Sequence, residues 1–314
     1  MPVLIEVAPA ALFVENIFFR LATVAFLVAT LGYILNLAGK REWGSFASVV
    51  LRTAFVLQTA FLVTRGINVG RTPFVGHFEF GNLFIWGTLL VYLWTEWRQK
   101  ERYYVVGAFL LPLVLLYVLY INNILVDDVI YLIRQVINQP MTDPPMVNPA
   151  HRPLPPVLRY PLWLNIHVST SVLGYAGFSL AFVLALMWLL RTGMEKTIAS
   201  AAPFKKTIFK AIPQPKVLED YMYSATAFGF LFQTAMIISG SIWADASWGR
   251  YWGWDPKEMW SLITWFVFAV YLHARFTRGW SGSRTVALVI LGWVAMMFTW
   301  IGVAWLLTGI HSFG

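Results

Sequence analysis

Apolar residues along this 314-residue chain gather into runs long enough to cross a bilayer, at about 10–37, 47–65, 80–97, 103–121, 163–190, 217–242, 258–275 and 285–307. They predict an all-α, polytopic integral membrane protein with about eight transmembrane helices, forming a single transmembrane domain over residues 1–314. The run at 47–65 is the least apolar, since it carries Arg52 and Gln58. A shorter stretch, Val126 to Ile137, sets Val129, Ile130, Leu132, Ile133, Val136 and Ile137 at helical spacing behind Asp127 and Asp128. That pattern predicts a helix lying in the interface instead of crossing it. The proline-rich stretch Gln139 to Pro161 cannot be helix, so 122–162 reads as an external loop that includes the amphipathic helix.

Charge sets the orientation. One set of loops holds Lys40, Arg41, Arg98, Lys100, Arg102, Arg191, Lys196, Lys205, Lys206, Lys210, Lys216, Arg275, Arg278 and Arg284. The opposite set holds Arg65, Arg71, Arg134, Arg152, Arg159, Arg250 and Lys257, half as many. The richer set is expected to be cytoplasmic, with 191–216 as its basic loop and both termini outside. The N-terminus has no basic region or small-residue cleavage site and reads as the start of the first span, not as a signal peptide. Composition agrees, with 59% hydrophobic and 12% charged residues, too little polar surface for a soluble domain of this size. The net charge of +8 is spread over short clusters between apolar runs, so no nucleic-acid partner is expected. The chain has no cysteine, so metal or redox work falls to histidine, carboxylate or a bound cofactor.

One stretch, Trp243 to Arg275, departs from the plain alternation of spans and loops. Six tryptophans fall between Trp243 and Trp265. Trp248, Gly249, Tyr251, Trp252, Gly253, Trp254 and Asp255 follow no helical or strand period, which predicts an outer loop over 243–258. Asp255 suits an N-cap and Pro256 a first helical position, after which an apolar helix runs to His273 and Arg275. Belt tryptophans also gather at bilayer interfaces, and Trp86, Trp94, Trp97, Trp163 and Trp188 fit that role. Trp293 and Trp300, seven apart, share a face that reads as packing or else as the wall of a cavity.

The topology puts His77, His151, His167 and His311 on the outer side with the tryptophan-rich loop, and leaves His273 alone at the inner end of its span. His167 and His311 flank that loop, and two neutral imidazoles would hold a six-coordinate haem; position alone favours reading each as an interfacial histidine, and their shared place beside the tryptophan-rich loop weakens that reading. His273 is either functional or hydrogen-bonded in the inner interface beside Arg275. His77 reads as a satisfied loop histidine, and His151 stands among prolines with nothing convergent beside it. No hydrolase, kinase or dinucleotide-binding motif is present.

The stretch WGRYWGWDPKEMWSLITWFVFAVYLHAR closely resembles the signature of cytochrome c-type biogenesis proteins of the CcsA/ResC kind, a haem-handling group named for its tryptophan-rich WWD motif. NIHVSTSVLGYAGF from Asn165 and the terminal GIHSFG resemble further family elements, and GHFEFGNLF resembles another in departed form. The resemblance implies that His167 and His311 are outer axial ligands to the iron of haem b, over a surface formed by Trp248 to Asp255. It implies that His273 is an inner haem ligand, completed by a histidine from a CcsB/ResB-type membrane protein. The implied function is haem export and presentation to apocytochrome c for thioether formation, as a holocytochrome c synthase subunit. Thiol-reducing thioredoxin-like proteins would serve as further partners. The implied location is a bacterial cytoplasmic or thylakoid membrane, with the active face extracytoplasmic. Alternatives are delivery to a haem chaperone without ligation, as in the CcmC kind, or a transporter or quinone-binding subunit that handles no haem.

Overall fold

Proline and glycine mark the helix ends. The computed structural model describes residues 5, 7–99, 103–122, 151 and 161–307. The expected interfacial helix at Val126–Ile137, most of the proline-rich stretch and His311 lie outside them. The described chain forms α1 (Pro9–Leu37), α2 (Glu42–Val69), α3 (Gly76–Gln99), α4 (Tyr104–Ile121), α5 (Pro161–Glu195) and α6 (Pro203–Ala211). It continues through α7 (Pro215–Trp248), α8 (Pro256–Arg278), α9 (Ser283–Met297), a π-helical segment (Phe298–Gly302) and α10 (Val303–Leu306). Proline opens α1, α6, α7 and α8, where its missing N–H costs no hydrogen bond. Glycine in the left-handed conformation closes α2, α7 and α8, at Gly70, Gly249 and Gly279.

The chain is an all-helical, polytopic membrane protein, with no strand among the described residues. Seven of its helices, counting α9 to α10 as one, are long and apolar enough to cross a bilayer. The eighth long helix, α3, is more polar than the rest. Its buried His77, Glu79, Asn82, Thr88 and Glu96 are covered by its neighbours. The doubtful second span also forms a full helix, because Gln58 donates to the Asn82 side-chain oxygen at 3.0 Å. Buried polar side chains in a span survive where a neighbouring helix satisfies them.

Two close pairs organise the bundle, α1 against α2 and α5 against α7. The α5–α7 seam rests on small residues: a Cβ added at Gly177 would meet the Gly229 backbone nitrogen at 2.8 Å. In a medium as apolar as the side chains, such backbone approach is what holds helices together. Between the pairs lies a core of aromatic rings, with Phe178 stacked on Phe268 at 3.7 Å and Phe84 tilted against Tyr117 at 4.8 Å.

The helices add detail to two expectations. The basic loop 191–216 contains α6, whose Lys205, Lys206 and Lys210 are held beside α5 by Arg191, which donates to the Phe209 carbonyl at 2.6 Å and lies over its ring. Trp300 falls in the π-helical segment, yet both indoles reach the same neighbours: Trp293 donates to the Ser179 hydroxyl at 3.3 Å, Ser179 bonds the Tyr117 hydroxyl, and the Tyr117 ring lies 5.9 Å from that of Trp300. Trp293 stacks on Phe182 at 3.8 Å, whereas Trp300 turns into a cavity among Phe80, Phe84 and Tyr120.

Candidate functional site

The turn from α7 into α8 is built around one glutamate. Glu258 accepts from the backbone N–H of Gly253 at 2.8 Å and of Asp255 at 3.1 Å, while Asp255 caps α8 in a reciprocal capping box. Those two bonds straddle Trp254, the one non-glycine among the described residues with positive φ, at 57°. A bulky residue in the left-handed region costs about 1–3 kcal/mol and persists only when its surroundings impose it. Here Glu258 imposes it. Ser241 on α7 ties the loop from the other side by donating to the Tyr251 carbonyl at 2.8 Å.

Beneath this loop lies a cavity of about 220 Å³, far larger than an ordinary packing void. Tyr251 and Trp252 cover it, and Phe74, Val75, Phe80, Val168 and Trp243 make its walls largely apolar. His77, His167, Lys257 and Trp300 also line it. Its residues come from α3, α5, α7, α8 and the π-helical segment, so the site exists only in the assembled bundle.

His167 lies against α7 in a seat made by Gly240. A Cβ at Gly240 would meet the His167 Nδ1 at 2.5 Å. The imidazole stacks on Trp243 with ring centroids 6.1 Å apart and planes 17° apart, and Trp248 packs edge-on to Trp243 at 4.8 Å. The His167 Nδ1 lies 2.9 Å from the Met236 carbonyl oxygen. A carbonyl only accepts, so Nδ1 carries the proton and the lone pair sits on Nε2. This is the tautomer that a metal-ligating histidine requires, fixed by the hydrogen bond of its other nitrogen.

A buried ionic cluster fixes the opposite wall. Arg65 on α2 reaches Glu15 on α1 and Glu79 on α3, each at 3.0 Å. Arg71 joins Glu79 at 2.7 Å, and Glu79 also accepts from the Val75 N–H at 2.8 Å. The cluster thereby holds the Phe74–Gly76 turn against the cavity. His151, expected to stand apart, belongs to it: its Nε2 is 2.9 Å from Glu15 and 3.2 Å from Arg65. No local pattern signals this, because Glu15 and Arg65 lie on two helices remote from His151 along the chain.

Several sequence-predicted residues fall elsewhere. Trp248 belongs to the last turn of α7 instead of the loop, because the left-handed cap comes at Gly249, with φ 69°. Of the named loop, Tyr251 and Trp252 line the cavity, while Trp254 is 68% exposed. Gly253 lies tight against the Arg250 guanidinium, and Asp255 is buried as a cap. His311 lies outside the described residues. His77 is not a loop histidine: it lies in the first turn of α3, buried and facing the cavity, with Nδ1 2.7 Å from the Tyr120 hydroxyl. His273 stands exposed on α8, seventeen residues past Pro256, which is roughly 25 Å along the helix. No group of three or more metal-binding side chains occurs among the described residues.

Fold and site together define a membrane-embedded helical bundle with an aromatic-roofed cavity, an imidazole held by a backbone carbonyl at one end and an exposed histidine at the other. The chain belongs to the Cytochrome C assembly protein family, whose pattern it matches over residues 74–311. A Guillardia theta protein named cytochrome c biogenesis protein CcsA is 38% identical over 172 residues, which is 52% of this chain and 57% of that one. A Trieres chinensis protein of the same name is 32% identical over 250 residues, 72% of each chain. The matched part is thus less than two thirds of the Guillardia theta relative's length, and 62% of that of a Gloeobacter violaceus relative 33% identical to this chain. Among solved structures, one titled Cytochrome c Heme Lyase CcmF shares the fold, with a TM-score of 0.67 and 18% identity, covering 99% of this chain and 49% of that one.

Proposed function

We propose that the protein carries haem b across the membrane and presents it, at the outer cavity, to the CXXCH thiols of an apocytochrome c. The single observation that carries this reading is His167: its Nδ1–H is tied to the Met236 carbonyl and its ring stacks on Trp243, which leaves Nε2 to serve as an iron ligand. The family and the names of its relatives point to cytochrome c assembly, and a c-type cytochrome is a haem protein, which supports haem as the cargo. His167 would hold the iron from one side and His311 from the other, under the Tyr251–Trp252 roof.

The ligation needs no nucleophile from this chain, which has no cysteine. Each apocytochrome thiol adds its S–H across one haem vinyl group. Sulfur bonds to the carbon nearest the ring and hydrogen to the terminal carbon, so no atom is lost and no oxidant is consumed. The protein contributes position, which can supply several orders of magnitude in rate when reacting groups are held in register. The apolar walls exclude water from the reacting edge.

His273 would receive haem at the cytoplasmic end. It projects from a stripe of exposed residues on α8, Met259, Ile263, Phe266 and Val270, spaced so that they share one face. That face suits completion by a CcsB/ResB-type membrane partner carrying the second imidazole. The orientation rests on the two-to-one excess of Lys and Arg in loops at the His273 end. Thioredoxin-like proteins would keep the thiols reduced. The membrane would be a bacterial cytoplasmic or a thylakoid membrane, with the cavity on the extracytoplasmic side.

The test is co-expression of this chain and such a partner with an apocytochrome c, in a host lacking its own maturation pathway. Covalent haem on the cytochrome, read by haem stain of denatured protein, is the expected result. Haem bound to the chain without covalent product would support delivery to a chaperone instead, and absence of both would overturn the reading.

A further inference from the structure

His77 shares the cavity with His167 but holds its proton the other way round. The Trp305 indole, which can only donate, gives its N–H to the Tyr120 oxygen at 3.1 Å. Among the described residues the Tyr120 hydrogen then goes to the His77 Nδ1, at 2.7 Å. Reversing that bond would strand a buried hydroxyl hydrogen, at a cost of about 1–3 kcal/mol. His77 therefore carries its hydrogen on Nε2, which makes it a donor in the cavity and not a metal ligand.

Two further cationic or donor groups line the same cavity. Lys257, in the first turn of α8, lies within coulombic reach of the His77 ring. Trp300, 6% exposed, has an indole N–H without a hydrogen-bond partner among the described residues. A buried donor left so is costly unless a ligand takes it. Glu258 also lines the cavity, but its Oε2 already accepts two backbone N–H groups of the turn.

We propose that His77, Trp300 and Lys257 form a carboxylate-binding subsite that seats the propionates of the macrocycle. This deepens the haem-handling reading and rests on it. Haem carries its propionates across the ring from its vinyls, so the subsite fixes orientation within the plane: acid edge on His77, Trp300 and Lys257, vinyl edge turned away from them. His167 would bind the iron, and these three residues would choose which edge is left for the thiols.

The experiment compares iron protoporphyrin IX with its dimethyl ester, which has the same iron and vinyls but no carboxylate charge. The full chain with its membrane partner, in nanodiscs, is titrated with each, corrected for partition into empty nanodiscs. Wild type is expected to prefer the free acid by about tenfold or more, the scale of a charge-assisted hydrogen bond. His77→Phe, Trp300→Phe and Lys257→Met should each cut that preference to about threefold or less while leaving ester affinity and the histidine-ligated iron spectrum in place. Lys257→Arg should keep it. Trp300→Phe keeps the ring and Lys257→Met the apolar stem, so the test survives if His77→Phe does not fold. Equal binding of acid and ester by wild type, or an undiminished preference in the variants, overturns the subsite alone. Failure of wild type to capture either compound overturns the haem reading and the subsite with it.

Discussion

The two ends of this bundle treat a histidine in opposite ways. At the cavity end, His167 is locked by the Met236 carbonyl, stacked on Trp243 and seated on Gly240. The surrounding wall is fixed by Arg65, Glu15 and Glu79. At the other end the helices are tied just as firmly, since Glu219 accepts from Trp188, Arg275 and the Gly282 N–H. Yet the His273 side chain projects exposed from that scaffold, while its backbone oxygen accepts from the Thr277 hydroxyl. A half-buried imidazole tied through one nitrogen has its tautomer chosen in advance and presents the other nitrogen in one pose. An exposed one takes its geometry from whatever docks beside it. The contrast fits a closed site of reaction at one end and an open site of entry at the other.

The largest effect on this contrast should come from Arg65→Ala. It leaves Glu15 and Glu79 buried without their shared partner, and breaking such a pair costs about 3–5 kcal/mol. A thermal melt in detergent should show it, and a melt like wild type would mean the cavity wall does not depend on the cluster. Next is His167→Ala, which should remove at least about nine tenths of the haem signal of the cavity end and recover part of it with added imidazole. Gly240→Ala should follow. Its Cβ would push on Nδ1 and break the Met236 bond, lowering cavity haem several-fold with the helical content unchanged. His273→Ala should be smallest in stability, within about 0.5 kcal/mol of wild type, as for an exposed side chain. It should still lower the haem captured with the partner present; a large loss of stability would show that His273 is part of the packing after all.

The spans were legible because transmembrane helices announce themselves by length and hydropathy. The cap of α8 was legible too, since Asp255, Pro256 and Glu258 act within one turn. The end of α7 was misread at Trp248, where a run of tryptophans and glycines hides helical residues from any periodicity argument. His77 and Trp300 were missed for another reason. The donor role of His77 depends on Tyr120 and Trp305, 43 and 228 positions further on, and that of Trp300 on a cavity assembled from several helices around a π-helical segment. Hydrogen-bond direction and helix phase are set by packing between elements, and no local pattern encodes them. The same holds for His151, which meets Glu15 and Arg65 only once α1 and α2 stand side by side.

The most direct test of the whole account is a high-resolution cryo-electron microscopy map of the haem-loaded chain with its partner. The account predicts a tetrapyrrole under Tyr251 and Trp252, iron bonded to His167 through Nε2, and Nδ1 still on the Met236 carbonyl. A cavity empty in the loaded complex, or iron bound through Nδ1 with the Met236 bond broken, would contradict it.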